Sequence, residues 1–136
     1  MSIRRNAFAI VCLSALGLAL TLPSAARAQS ADLALCDRVA ADPSDPDKPA
    51  EVKGVADIAP ADVAIAIRYC KASARSSRRA LYQLGRAYAA NRQMAEAAAA
   101  FRQAADKGNS SAMVELGVML GTGNGVATDT EQARAC

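Results

Sequence analysis

Apolar side chains between residues 80 and 109 recur at intervals of three and four, which is the spacing of one face of an α-helix. These positions are Leu81, Leu84, Tyr88, Ala97, Phe101 and Ala104. The pattern predicts a helical hairpin over 80–109. Gly85 follows Leu84, and a residue without a side chain would let a neighbouring helix approach closely at this point.

The hairpin pattern recurs along the chain. Leu116 and Gly117 stand 32 residues after Leu84 and Gly85, and the second copy is extended in its glycine-rich turn at 121–125. An interval of this length is typical of a solenoid, in which each unit needs a neighbour to bury its apolar face. We expect the second copy to be incomplete, because the sequence ends before its last helix would be long enough to be stable.

The two copies resemble two related helical repeats. The first copy is similar to a tetratricopeptide repeat through the apolar positions given above and Gly85. The second resembles a Sel1 repeat through Ala112, Leu116, Gly117, Leu120, Gly123, Gly125, Val126, Asp129 and Ala133. It departs from that pattern at Leu120, where an aromatic residue is usual, and at Cys136, where tryptophan is usual. The resemblance implies an all-α fold with a short α-solenoid over 78–136 and a role in binding other proteins.

Residues 1–28 have the three parts of a secretory signal peptide. Arg4 and Arg5 provide the positive start, an apolar run of about 15 residues follows, and Ala26-Arg27-Ala28 is a small-x-small cleavage site. We expect cleavage near Ala28 and a periplasmic or secreted protein. It would meet a membrane only through the uncleaved signal, because the run is shorter than the roughly 20 residues of a membrane span. The alternative is that the segment stays as a membrane anchor.

Removing the signal changes the charge of the protein. The whole chain has 16 Lys and Arg against 13 Asp and Glu, a net charge of +3. Three of the basic residues, Arg4, Arg5 and Arg27, belong to residues 1–28, so 13 of each sign remain in the mature chain. A neutral chain lacks the basic surface that nucleic-acid binding needs. We therefore expect no nucleic acid among the partners.

The segment 29–77 is predicted to form an N-terminal module of two helices joined by a loop. The first predicted helix, 32–41, carries Cys36, and the second, 61–74, carries Cys70, each on an apolar face. Cysteines of exported proteins pair in oxidising compartments. We therefore predict a Cys36–Cys70 disulfide, which contributes about 3–4 kcal/mol in the chain-entropy model. The alternatives are two small buried apolar side chains, or pairing with Cys136. The module resembles one that precedes Sel1 repeats in some exported bacterial proteins.

Three prolines and Gly54 exclude a helix from the loop between these helices. Its alternating Asp42, Asp45 and Asp47 raise the possibility of a calcium site. The ligand ladder and closing glutamate of an EF-hand loop are missing, so we expect an ordered loop exposed to solvent instead.

A basic cluster, Lys71, Arg75, Arg78 and Arg79, follows Cys70. It could bind phosphate or an anionic lipid. No aromatic or glycine-rich stretch accompanies it, so we favour a serine-rich linker in which Ser77 lies near a helix N-cap.

The sequence contains no catalytic arrangement that we can identify. It has no histidine, which removes the commonest general base and the commonest zinc ligand. The glycines at 121–125 lack the Lys-Ser/Thr that follows in a phosphate-binding loop. The turn between two helices of a repeat explains them better. We expect no enzyme, no cofactor, no metal and no small-molecule substrate.

Recognition of a protein or peptide segment is the function that remains. The first helix of each repeat would line a concave surface. The residues predicted to contact the partner there are Arg79, Tyr82, Arg86, Val114 and Val118. Arginine and tyrosine are favoured anchors at interfaces, and the arginines suit an acidic segment or a C-terminal carboxylate. These residues could also form an ordinary solvated face.

Two other functions compete with this one. The chain could be a docking fragment of a larger exported enzyme or regulator. It could also be a structural protein of the cell envelope that binds peptidoglycan or a membrane surface.

Overall fold

The structure is a computed structural model, and it describes residues 24–126 and 134–135. Five α-helices follow one another: α1 (Ser24–Ala40), α2 (Val63–Ser73), α3 (Arg78–Ala90), α4 (Met94–Asp106) and α5 (Ser110–Thr122), with a 3-10 turn at Pro60–Asp62 before α2. The described residues contain no strand, so the all-α prediction is confirmed. Each helix packs against the next one in the chain, and α1 also packs against α3.

The first helix is longer than the sequence analysis predicted. It begins at Ser24 instead of near residue 32 and ends at Ala40. The added stretch, 24–31, is rich in alanine and contains no glycine or proline, so nothing in it opposes a helix. The positive start and the apolar run of the predicted signal peptide lie outside the described residues. In the described part of the chain, no helix is long and apolar enough to span a membrane.

The 32-residue interval is visible in the structure as a repeated helix with its cap. Helices α3 and α5 each have 13 residues, and their N-caps are Ser77 and Asn109. The Ser77 hydroxyl accepts a hydrogen bond of 3.1 Å from the backbone N–H of Ala80. The Asn109 side-chain oxygen accepts one of 2.7 Å from the N–H of Ala112. Each cap satisfies a backbone N–H that the helix itself leaves free. The predicted position of Ser77 near an N-cap is confirmed.

Two apolar clusters form the core, and α3 contributes to both. The first joins α1, α2 and α3 through residues that include Cys36, Cys70 and Leu84. The second joins α3, α4 and α5 through residues that include Tyr82 and Phe101. Because α3 contributes to both clusters, it joins the N-terminal module to the helices after it across the predicted boundary at 77/78.

The disulfide between Cys36 and Cys70 is confirmed, with an S–S distance of 2.04 Å. It joins α1 to α2, and both residues are fully buried. The side-chain oxygen of Gln83 on α3 lies 2.7 Å from the sulfur of Cys36. This approach is a packing contact, because a disulfide sulfur carries no proton to donate. Cys136 lies outside the described residues.

Three glycines of the repeat region serve close packing and turn formation. The ring of Phe101 lies against Gly85, where any Cβ would overlap it, so the predicted close approach of a helix is confirmed. Gly123 ends α5 with a φ of 70°, and its N–H donates to the carbonyl of Met119. Gly125, with a φ of 78°, lies against the backbone of Met94. The last two adopt left-handed backbone conformations that suit glycine.

Candidate functional site

The α3 face that the sequence analysis assigned to a partner is in contact with the chain's own N-terminal module. Arg79 donates two hydrogen bonds of 2.9 Å to the two carboxylate oxygens of Asp37 on α1. The fully buried Gln83 donates a third, also of 2.9 Å, to the same carboxylate. The hydrogen bonds from Arg79 to Asp37 raise the pKa of the guanidinium above its usual value.

Tyr82 is also turned inward. Its side chain is 1% exposed, and its hydroxyl donates a hydrogen bond of 2.7 Å to Asp42. Burial, with the neighbouring Asp42 carboxylate, raises the pKa of the phenol well above its ordinary value. Tyr82 therefore remains a neutral hydrogen-bond donor to the loop.

Arg86 holds the end of α1 and the loop that follows it. Its guanidinium donates hydrogen bonds of 2.7 Å to the carbonyl of Ala40 and 2.8 Å to that of Val55, and a further one to the carbonyl of Ala56. The carboxylate of Asp42 lies 4.0 Å from its Nε atom. The carbonyl of Ala40 belongs to the last turn of α1, where the helix leaves it without a backbone partner.

The acidic loop packs against the N-terminal ends of α3 and α5. Arg78 donates two hydrogen bonds of 2.7 Å to Asp47. Asn109, fully buried, donates to Asp47 at 2.9 Å and to Asp45 at 3.1 Å, and Ser111 also donates to Asp45 at 3.1 Å. The positive end of a helix dipole favours carboxylates at these positions.

The prediction of a solvent-exposed loop is wrong for Asp45, which is only 4% exposed. Its carboxylate is covered because it satisfies polar groups at the start of α5. For calcium, the described residues contain no group of three or more His, Cys, Asp or Glu side chains arranged to hold a metal ion. The basic cluster is divided as well, since Arg78 and Arg79 pair with separate carboxylates of the N-terminal module.

An open surface lies beside this contact among the described residues. A groove of about 320 Å³ lies between the loop at 56–58, the C-terminal half of α3, and α5. We call it the α3–α5 groove. Its apolar lining includes Ala89, Met94, Phe101, Val118 and Met119, and its polar lining includes Asp57, Arg86 and Glu115.

The five residues predicted to contact a partner are thus separated by the fold. Arg86 and Val118 line the α3–α5 groove, and Val118 is 55% exposed. Val114 is 64% exposed on α5, one turn before Val118, and does not line the groove. Arg79 and Tyr82 bind the N-terminal module instead. Their assignment to a partner stays a prediction.

Of the groove lining, the sequence analysis assigned only Arg86 and Val118 to a partner and missed the other residues. Among those missed, Asp57 comes from the loop, Met94 from the start of α4, and the half-buried Glu115 from α5. Helical spacing could have identified one of them. Glu115 lies three residues before Val118 on α5, and residues at that spacing are neighbours on the helix surface. Asp57 could not have been predicted, because the loop reaches the groove only through the packing of the N-terminal module, which no local sequence pattern indicates.

The chain matches no protein-family model, no curated protein and no solved structure in comparisons with known proteins.

Proposed function

We propose that this is an exported, periplasmic or secreted, helical-repeat protein that binds a segment of another protein in the α3–α5 groove. It has no catalytic role and needs no cofactor in this proposal. The observation that carries it is the groove itself, an open apolar cleft of about 320 Å³ between helices that are fixed on both sides by buried contacts. Binding in a preformed cleft avoids much of the entropy cost of ordering the receptor.

The assignment to tetratricopeptide or Sel1-like repeats is part of this proposal. It is supported by the recurrence, after 32 residues, of a 13-residue helix with a side-chain N-cap at Ser77 and Asn109. It is also supported by the contact between Gly85 and Phe101, which brings α3 and α4 close together. Hairpins of this kind bind extended or helical segments along the helices that line their inner face.

Export is supported by two independent features. The first 28 residues have the composition of a signal peptide. The Cys36–Cys70 disulfide is buried between two helices, and structural disulfides persist mainly in oxidising compartments.

Two exposed valines extend the apolar surface of the groove. Val114 and Val118 lie four residues apart on α5, so their side chains are neighbours on one face of the helix. Large apolar side chains that remain exposed next to a cleft are a common feature of binding surfaces. A partner segment lying along α5 would cover both valines while an apolar residue entered the groove.

Site-specific photo-crosslinking in the producing cell tests this function. A crosslinking amino acid replaces Val118 in one variant and Ile65, which is 42% exposed on α2, in a control variant. We expect position 118 to form a discrete adduct whose mass and fragment spectrum identify a polypeptide, and position 65 to form none. Adducts to glycan strands or lipid at position 118 would favour the envelope-structural alternative. Equal adducts at both positions, or none at 118, would contradict binding in the groove.

A further inference from the structure

Arg86, the basic residue that lines the α3–α5 groove, already has hydrogen-bond partners within the chain. The guanidinium of Arg86 donates to the carbonyls of Ala40, Val55 and Ala56, and Asp42 lies 4.0 Å from its Nε atom. An incoming carboxylate would have to compete with these intramolecular partners. Arg86 therefore stabilises the contact between α3 and the loop, and few of its donors are free to bind an acidic ligand.

The two acidic residues of the groove differ from Arg86 because they have no such partners among the described residues. Asp57, on the loop, and Glu115, on α5, both line the groove. Among the described residues, neither carboxylate takes part in a hydrogen bond or an ion pair. Four other carboxylates that face α3 or α5, those of Asp37, Asp42, Asp45 and Asp47, are all engaged by partners. The two groove carboxylates thus remain available to a ligand.

The apolar part of the groove accepts side chains of several shapes. Met94 and Met119 both line it, together with the ring of Phe101. Methionine is flexible and polarizable, so surfaces rich in it adapt to different apolar side chains. Such a lining selects an apolar residue without defining which one.

These observations together lead us to infer the chemistry of the partner. We propose that the α3–α5 groove binds a basic apolar segment, in which an apolar side chain contacts Met94 and Met119 and flanking lysines or arginines meet Asp57 and Glu115. This inference rests on the function proposed above and specifies its partner. It reverses the acidic partner that Arg79 and Arg86 suggest in the sequence, because the carboxylate of Asp37 binds Arg79 and backbone carbonyls hold Arg86.

Binding of three synthetic peptides, measured by fluorescence anisotropy, tests this inference. The peptides share an apolar Leu-x-x-Phe centre and differ only in whether the flanking residues are Lys, Ser or Glu. Exposed ion pairs contribute up to about fivefold each in affinity. We therefore expect the Lys peptide to bind about tenfold more tightly than the Glu peptide at low salt, and the difference to shrink as salt is raised.

The double variant Asp57→Asn/Glu115→Gln should remove most of the preference for the Lys peptide over the Glu peptide. The matched control is Glu51→Gln, an exposed carboxylate that does not line the groove. It should leave all three affinities as they are. Unchanged thermal unfolding of both variants would show that the fold is intact.

The outcomes separate this inference from the proposed function. Equal binding of the three peptides, or tightest binding of the Glu peptide, would overturn the basic partner and leave the groove as a binding site. Binding of no peptide, together with no adduct from position 118, would overturn both. Self-association of the protein in sedimentation experiments, lost in a Val118→Asp variant, would assign the groove to a second copy of the chain and would also overturn the inference.

Discussion

The carboxylate of Asp37 accepts two hydrogen bonds from the guanidinium of Arg79, each of 2.9 Å, across the contact between α1 and α3. Asp37 directly follows Cys36, whose disulfide fixes α1 to α2. The covalent link and the ion pair therefore act on the same turn of α1. Together they place the N-terminal module over the face of α3 that would otherwise be open to a partner.

Loss of this ion pair should weaken the whole fold. Asp37→Ala removes the acceptor of hydrogen bonds from both Arg79 and Gln83, and leaves the fully buried amide of Gln83 without that partner. An unsatisfied buried polar group costs about 1–3 kcal/mol, so we expect the free energy of unfolding in urea to fall by about 2 kcal/mol. The neighbouring exposed Arg38→Ala is the control and should change it by less than about 0.5 kcal/mol. Equal effects of the two variants would contradict a specific role for the pair.

Removal of the disulfide should destabilise the protein more than any single surface change. The bond closes a loop with a sequence separation of 34 residues. The chain-entropy model gives a loop of this size about 3–4 kcal/mol. We expect a Cys36→Ala/Cys70→Ala variant to lose this amount in urea unfolding. Reducing the wild-type protein should give a similar loss, and reductant should not affect the variant. A wild type whose unfolding is insensitive to reductant would contradict the prediction.

Acid should weaken the contact between the loop and the helices. Hydrogen bonds from Arg78 lower the pKa of Asp47. Burial raises the pKa of Asp42, but hydrogen bonds from Ser44 and Tyr82 outweigh it and hold that pKa below its usual value. A carboxyl group with a lowered pKa in the folded state stabilises the protein fully above its unfolded pKa, about 3.9. That stabilisation is lost as the pH falls through the lowered folded value.

We therefore expect the urea midpoint to change little between pH 7 and pH 5 through these two groups and to fall below about pH 4. Asp47→Asn should lower the midpoint at pH 7 and make its decline below pH 4 shallower. A decline as steep in the variant as in the wild type would show that Asp47 does not contribute to the acid sensitivity.

Gly85 should tolerate no side chain. Gly85→Ala favours the helix by about 1 kcal/mol in propensity, but its Cβ would overlap the ring of Phe101. Overpacking of this kind typically costs about 1–3 kcal/mol, so we expect a net loss of stability or none, and no gain. The double variant Gly85→Ala/Phe101→Leu should be more stable than the sum of the two single variants predicts, because the smaller side chain relieves the overlap. Additive effects in this double-mutant cycle would contradict direct contact between the two positions.

Local patterns made several parts of this fold predictable. The apolar spacing over 80–109 predicted the hairpin that the structure shows as α3 and α4. Ser77 was recognisable as an N-cap because a serine preceding a run of helix-forming residues satisfies a free backbone N–H. The disulfide was predicted from expected export to an oxidising compartment and from two cysteines on the apolar faces of predicted helices. Each of these features depends on residues close together in sequence or on a strong chemical preference.

The groove and the covered face of α3 were not predictable in this way. Asp37, Asp42 and Asp47 bind side chains that lie 31 to 42 residues further along the chain. The sequence marks them only as acidic residues in or near a proline-rich loop. Their partners depend on how α1, held by its disulfide, directs that loop across α3.

The sequence by itself determined that the chain forms helices and which side chains share their apolar faces, and it favoured the Cys36–Cys70 pair, because backbone preferences and apolar periodicity act over a few residues. Only the tertiary structure decided which face of α3 is covered and which charges are left unpaired beside the groove. The physical reason is that helical periodicity defines which side chains share a face, while the element that packs against that face is chosen by contacts between distant parts of the chain.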